Sequence, residues 1–559
     1  MTGGWRRQAA PRWQNLRRRA ALGTVLAAAT AGCGDRARLP PAASSDGTPE
    51  ERGGGTAVVA GREPIATLNP LTSTDYVARQ VENHLLLMTL VRYDSTFTER
   101  PYLATAWEVS EDGRQILFRL RPDIRWHDGV PTTARDVAFT FLRAKDDRVP
   151  FPNRAYFDRW KSVEVVDDTT VRFSVEPGPG LLFGWTETAI LPEHLLGNVP
   201  PERLAADPFG TSRPVGNGPF RFAGRQGPDT WIFEANLEFP AELGGAPRLD
   251  RLVYRVIPDE TTLLSELLTG RVQLYLDLPP SQVGRVRESA ATLVATYPSP
   301  AVTFIAWNTR RPQLAEPAVR RALTLAIDRE QLVNAARNGL GVVATGPVGP
   351  WHWAHDPKWR PLPYAADSAR GVLERAGWRD GDGDGVREKQ GVELRVELMT
   401  NENPVRREIA VIVQDQLRRA GVAVRPLMRE SASMGAAVTS PERPFDAAIL
   451  AFVQDRILDD RDQWRCAGRD RPFHFSGYCD PALDAILDSI PRTTDRDVRR
   501  NLYRRYHEHI ARAQPYTYLF YDIVAAGVRR ELRGVRLDPR GELAGAPSWR
   551  LASPTARDR

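Results

Sequence analysis

Cysteine, methionine and histidine are scarce in this chain: its 559 residues hold only three, five and eight of them. A structural zinc site needs four ligands at suitable spacing, and no complete set stands out. Long apolar runs are missing as well. After residue 32 no stretch offers eighteen continuous apolar residues, so no membrane-spanning helix is expected. There is no nucleophile elbow, Walker loop or zinc-protease helix. Gly339-Leu340-Gly341-Val342-Val343-Ala344 nominally fits a dinucleotide fingerprint, but it follows helical rather than strand-like sequence, so its context fails. No period of 20–50 residues repeats, which argues against a solenoid. No enzyme, cofactor or resident metal is expected.

What is present begins with charge. The formal net charge of +6 and a pI near 9.3 would suggest nucleic-acid binding. The whole excess resides in Arg6, Arg7, Arg12, Arg17, Arg18 and Arg19, because residues 1–32 contain no acid. The remaining body is formally neutral, so nucleic acid is not an expected partner. Those arginines lead into the short apolar run Ala20 to Gly32, the layout of a secretory signal peptide. Ala31-Gly32-Cys33 resembles a bacterial lipoprotein cleavage box, with Thr30 where leucine is usual, so Cys33 is the expected lipidation site. Gly34 to Gly55, rich in Gly, Pro, Ser and charge, reads as a flexible tether. The body is then exported and held at the outer face of a membrane, or in the periplasm, by its lipid.

Cys466 and Cys479 remain. In an exported chain, two leftover cysteines in one loop are expected to form a disulfide. A zinc pair with His474 is the rival reading and lacks a fourth ligand. From Thr56 onward, strand-like runs alternate with helical ones. Phe118 to Arg121 and Val171 to Val175 alternate apolar and polar residues as half-buried strands do. Helices are expected from Thr132 through Leu142, and over Glu316 to Asn338, Asp367 to Ala376, Pro404 to Ala420 and Asp495 to Ala513. Helices ending at glycine before a strand, as at Ala420-Gly421-Val422, indicate α/β layering. At this length a single core is excluded and two or three lobes are expected.

Several segments share an order. Leu103-Ala104-Thr105-Ala106-Trp107-Glu108-Val109 precedes an acidic turn at Glu111-Asp112-Gly113. Ile124-Arg125-Trp126-His127-Asp128-Gly129 precedes a helix start at Thr133-Ala134-Arg135-Asp136. Pro214-Val215-Gly216-Asn217-Gly218-Pro219-Phe220, Phe304-Ile305-Ala306-Trp307-Asn308, Val319-Arg320-Arg321-Ala322-Leu323 and Glu374-Arg375-Ala376-Gly377-Trp378 follow. Phe445-Asp446-Ala447 and Pro481-Ala482-Leu483-Asp484 close the series. Together they resemble the family 5 extracellular solute-binding proteins, which serve ABC importers of peptides and nickel. The resemblance implies a bilobal, Venus-flytrap α/β fold of the periplasmic-binding type, with a large N-terminal lobe and an inserted second lobe. Residues 1–32 would be signal, 33–55 tether, 56–300 lobe I, 301–512 lobe II and 513–559 the return to lobe I. The chain is expected to be a monomer that delivers its solute to a permease and ATPase complex.

In peptide-binding relatives an aspartate three positions after an aromatic residue pairs with the peptide ammonium. Phe452-Val453-Gln454-Asp455 keeps that spacing, with Phe in place of Trp, so Asp455 and Phe452 are expected at the ligand. Trp307 and Asn308, at a strand end entering the second lobe, and Trp464 and Tyr478, beside the paired cysteines, complete the candidates. His127 is expected to be structural. Asp380-Gly381-Asp382-Gly383-Asp384-Gly385 imitates half a calcium loop, but Gly391 stands where the terminal Glu belongs, so an acidic turn is expected. His352 with His355, and His507 with His509, are poor metal pairs, the second because two residues apart on a helix diverge by roughly 200°. An exported hydrolase, a receptor without a transporter, or a carrier of nickel or sugar are the alternative functions.

Overall fold

The computed structural model describes residues 5–7, 54–73, 75–178, 181–454, 458–493 and 495–552. Most of the expected signal peptide, Cys33 and most of the tether therefore lie outside the described residues, as does Asp455.

Two long antiparallel strands organise everything else. Thr292–Trp307 runs outward from the first lobe and Tyr516–Arg529 returns to it. They pair from Thr292↔Arg529 to Pro298↔Ile523, lose register, then pair again from Val302↔Tyr521 to Ala306↔Tyr516. The break falls between Pro298 and Val302, at Ser299-Pro300-Ala301. Neither proline has an N–H to give the ladder, so the sheet cannot continue unchanged through that point. On the first-lobe side the returning strand borders Leu274–Tyr275, followed by Thr56–Gly61, Arg251–Val256, Thr230–Ala235 and Phe220–Arg225. On the second-lobe side the outgoing strand borders Ala447–Val453, Arg395–Asn401 and then Ala423–Arg429. The last two are parallel, and helix Pro404–Arg418 makes the crossover that parallel strands require.

A second antiparallel sheet in the first lobe contains Ala104–Ser110, Gln115–Leu120, Thr170–Val175 and Trp160–Asp167. Helix Ala134–Lys145 covers it and starts on a reciprocal cap: the Arg135 N–H donates to the Thr133 hydroxyl, and the Thr133 N–H to the Asp136 carboxylate. Trp160 and Phe173 meet edge to face below it, their rings 4.9 Å apart.

The motif glycines have a steric cause. A Cβ on Gly216 would stand 1.8 Å from the Leu86 carbonyl oxygen, and one on Gly218 2.6 Å from that of Leu85. Asn217 between them is buried, its Oδ1 accepting the Met88 N–H at 2.8 Å. The Pro214–Phe220 segment thus clamps the apolar run that starts at Leu85.

One expected element is different. Glu316 to Asn338 is not one helix but two, Pro317–Ala326 and Arg329–Arg337. The Asp328 carboxylate accepts the Gln331 N–H at 3.0 Å and so caps a new start in mid-sequence. Among the described residues no helix is long and apolar enough to cross a membrane.

The two lobes have separate cores. One gathers side chains from Ala57 to Leu276 and again from Ala526 to Trp549. The second lobe has one cluster around Ile305, Val396 and Ile449 and another around Phe304, Trp464 and Tyr506. Phe304 and Ile305 point to opposite faces of the outgoing strand, which is how one strand serves both clusters.

Candidate functional site: the cleft between the lobes

A cavity of about 980 Å3 opens where the long strands cross between lobes. The crossing itself provides Tyr297, Ser299, Pro300 and Val524. Helix Tyr76–Val81 and the π-helical turn Glu82–Leu86 provide Tyr76, Asn83 and His84. Arg92 and Tyr93 come from the short strand Val91–Tyr93. Arg540 and Glu542 come from the C-terminal return, and Val453 and Gln454 from the second lobe.

Two charged centres face this space. At one, the Tyr76 hydroxyl donates to Glu542 Oε2 at 3.1 Å, with the Tyr297 hydroxyl 3.5 Å from that of Tyr76. Burial pushes the Glu542 carboxyl above the usual carboxylate range, and burial beside Glu542 raises the Tyr297 hydroxyl as well. At the other, Arg540 is held by Asp538 at 2.7 Å and donates to the Tyr93 carbonyl at 3.1 Å. Arg92 lies against the Tyr102 ring, 4.8 Å from its centre. The Gln454 N–H donates to the Pro300 carbonyl at 2.9 Å, tying the second-lobe rim to the crossing.

The candidates read from sequence are placed differently. Trp307 is fully buried and its indole N–H donates to Thr517 Oγ1 at 2.9 Å, so it joins the two long strands inside the second-lobe core. Asn308 is buried beside it and donates to the carbonyls of Arg443 and Phe445. Trp464 is fully buried as well, donating to the Tyr506 hydroxyl at 2.7 Å, which in turn donates to Asp460. Phe452 packs edge to face on Phe304, at 5.1 Å, on the side of its strand opposite Val453. The Tyr478 hydroxyl meets Asp480 and His509 within the second lobe. None of these five lines the cavity. Each pairs its polar atom, or packs its ring, inside a lobe, and that accounts for its burial without a ligand. Asp455 adjoins the cavity residue Gln454 in sequence but lies outside the described residues.

Other readings come out as follows. Cys466 and Cys479 form a disulfide. His127 hydrogen-bonds the Gly218 carbonyl at 3.0 Å, and burial lowers its pKa to about 4, which suits a neutral structural imidazole. His507 stacks on Trp359 with ring centres 3.7 Å apart. The carboxylates of Asp380, Asp382 and Asp384 converge within 4.8 Å, and they accept the backbone N–H groups of Gly383, Asp384, Gly385 and Val386.

Sequence reasoning missed Tyr76, Arg92, Arg540 and Glu542, which lie far apart in the chain and meet only through the fold. One signal was available: Arg92 interrupts the apolar run from Leu85 to Tyr93. A cation in such a run needs a reason.

Two α/β lobes joined by crossing strands, with a cavity at the crossing, define a cleft-type binding protein. The sequence profile of the bacterial extracellular solute-binding proteins, family 5 (middle region), matches residues 98–469. The chain belongs to that family. It is 29% identical over 535 residues to the oligopeptide-binding protein AppA of Bacillus subtilis, covering 94% of this chain and 97% of that one. The structure of AppA in complex with a nonapeptide is similar with a TM-score of 0.66 at 28% identity, over 90% of this chain and all of the other. NikZ from Campylobacter jejuni, in complex with Ni(L-His), gives a TM-score of 0.66 at 25% identity, covering 89% and 99%.

Proposed function

We propose that this chain is the solute-capturing component of an ABC importer and that its cargo is a peptide lying extended across the interlobe cleft. One observation carries the choice of cargo. Strand Ala447–Val453 pairs with the outgoing strand along its full length, Trp307↔Ala447 to Ala301↔Val453. Among the described residues its other neighbour pairs only with Ala447 and Ala448. Leu450 to Val453 therefore present an open edge, and the end of that edge lines the cavity. An extended peptide can add to such an edge through main-chain hydrogen bonds, which are indifferent to its side chains. Resemblance to proteins named for oligopeptides supports the same reading.

Asp455, one residue beyond Gln454, is the proposed partner of the peptide ammonium, a charge-assisted bond in a cleft that dries on closure. The segment from Ser299 to Ala301, unmatched on the returning strand, supplies the hinge for that closure. Residues 1–32 act as the export signal, and Cys33 carries the lipid that keeps a monomeric body beside its permease and ATPase. A peptide at a hundred times its Kd should stabilise the protein by about 2.7 kcal/mol. Thermal shift of the purified protein against a peptide pool, Ni(L-His) and a sugar panel tests the cargo. A rise in Tm with peptides alone is expected; a rise with the nickel complex or a sugar, and none with peptides, refutes it.

A further inference from the structure

Arg92 and Arg540 line one wall of the cleft, Arg121 lies behind it on the Tyr102 carbonyl, and two of the three are neutralised. Arg121 pairs with Glu242 at 2.7 Å. Arg540 pairs with Asp538 at 2.7 Å. Arg92 stands close enough to both that their charges bear on its own, and burial and those charges lower its proton affinity. Among the described residues no carboxylate or carbonyl meets its guanidinium; its one partner is the face of Tyr102.

The position is built rather than accidental. Val91 is buried in the first-lobe core, and Arg92 follows it on a strand whose side chains alternate, so it points the other way into the cavity. Tyr102 lies against the guanidinium, and Arg540 adds a like charge beside it while engaging both oxygens of the Asp538 carboxylate. A partly desolvated cation with five N–H groups and no acceptor is unfavourable until something anionic enters. The planar fork matches a carboxylate with two parallel bonds.

We propose that Arg92 is the carboxylate anchor of the cleft, holding either the C-terminal carboxylate of a bound peptide or an acidic side chain near its end. This rests on the peptide reading above. It adds a polarity to that reading: an anionic end at the wall formed by Arg92 and Tyr102.

Three synthetic pools of tri- to nonapeptides separate the sources. One has free C-termini and no Asp or Glu, one is the same but C-amidated, and one is C-amidated with a single Glu. Full-length wild-type protein and Arg92→Gln are compared by thermal shift, and the tightest binders by calorimetry. If the C-terminus is the source, the free-acid pool outperforms the amidated one in wild type; if a side chain is, the Glu pool does. In either case Arg92→Gln should weaken the favoured class roughly 10–100-fold and leave the plain amides unchanged. Equal affinity of wild type for all three pools overturns the anchor, and so does an equal loss across pools in the variant. The wild-type comparison stands even if the variant fails to fold. Failure of every pool to bind wild type removes the peptide reading and the anchor with it, an outcome distinct from binding without preference.

Discussion

Glu82 should make this protein less stable as pH rises, and replacing it should abolish that dependence. It opens the π-helical turn Glu82–Leu86, whose next two residues, Asn83 and His84, face the cleft. Its side chain points into the first-lobe core with only 1% of the residue exposed, and Oε1 has no hydrogen-bond partner among the described residues. Burial raises its pKa from 4.5 to about 8, opposed only in part by Ser73 and Arg79. Between those two pH values the folded protein keeps a proton that the unfolded chain has released. Raising the pH therefore favours unfolding, at up to ~1.4 kcal/mol per pH unit and about 5 kcal/mol over the whole window. The stabilisation is complete below about pH 4.5 and gone above about pH 8.

Glu82→Gln keeps the shape of the neutral form and cannot ionise. Wild type and variant should melt together near pH 4.5. At pH 8.5 the variant should melt higher by roughly 5–10 °C, at the 2–4 °C per kcal/mol usual for a large domain and with partial relaxation of the site. Glu542, Asp136 and Asp522 are also raised by burial, but they titrate in both proteins and cancel in the difference. Calorimetric scans of the two at half-unit pH steps measure it. Parallel Tm curves across the range would show that the carboxyl is solvated or charged throughout, and the burial argument would fail.

Two further perturbations test the second lobe. Arg320, fully buried, donates to the carbonyls of Leu314, Ala315, Ala513 and Gln514. Arg320→Met leaves those acceptors without donors and should cost about 3 kcal/mol or more, read as a lower urea midpoint; an unchanged midpoint would mean water replaces the guanidinium freely. Reduction of Cys466–Cys479, or Cys479→Ser, should cost at most about 3 kcal/mol, the loop-closure value for so short a loop. The expected loss is smaller because Arg443 also ties this loop through the His474 and Arg471 carbonyls, and a loss above that value would show that those ties depend on the disulfide.

The sequence motifs read most of the fold because each has a local cause. Gly216 and Gly218 admit no side chain, Thr133 and Asp136 cap a helix, and Arg320 collects carbonyls from two segments. Such requirements are satisfied nearby and leave their residues in recognisable order. The break at Asp328 was legible in principle, since aspartate three residues before glutamine is a capping pattern, but the apolar stripe continues through it and hides the stop. The site was poorly legible for another reason. An aromatic residue with a polar tip at a strand end looks the same in sequence whether it faces a ligand or a threonine on the next strand, and for Trp307 it is Thr517. The cleft residues from Tyr76 to Glu542 share no spacing at all; the crossing of the two long strands brings them together.

The buried arginines show what separates scaffold from site. Arg320, Arg329 and Arg443 all point into irregular segments and spend their N–H groups on main-chain carbonyls. Their role is to satisfy acceptors that helices and strands leave open, which is why they sit where helix ends meet the long strands or a loop. Each reaches at least three carbonyls within the folded chain. Arg387 is likewise engaged, by the Ala420 and Trp378 carbonyls and Glu374. Arg92 breaks this pattern while sharing the desolvation that makes the pattern necessary. A partly desolvated guanidinium left facing a cavity with only an aromatic ring beside it is where the fold stops serving itself and depends on what enters the cleft.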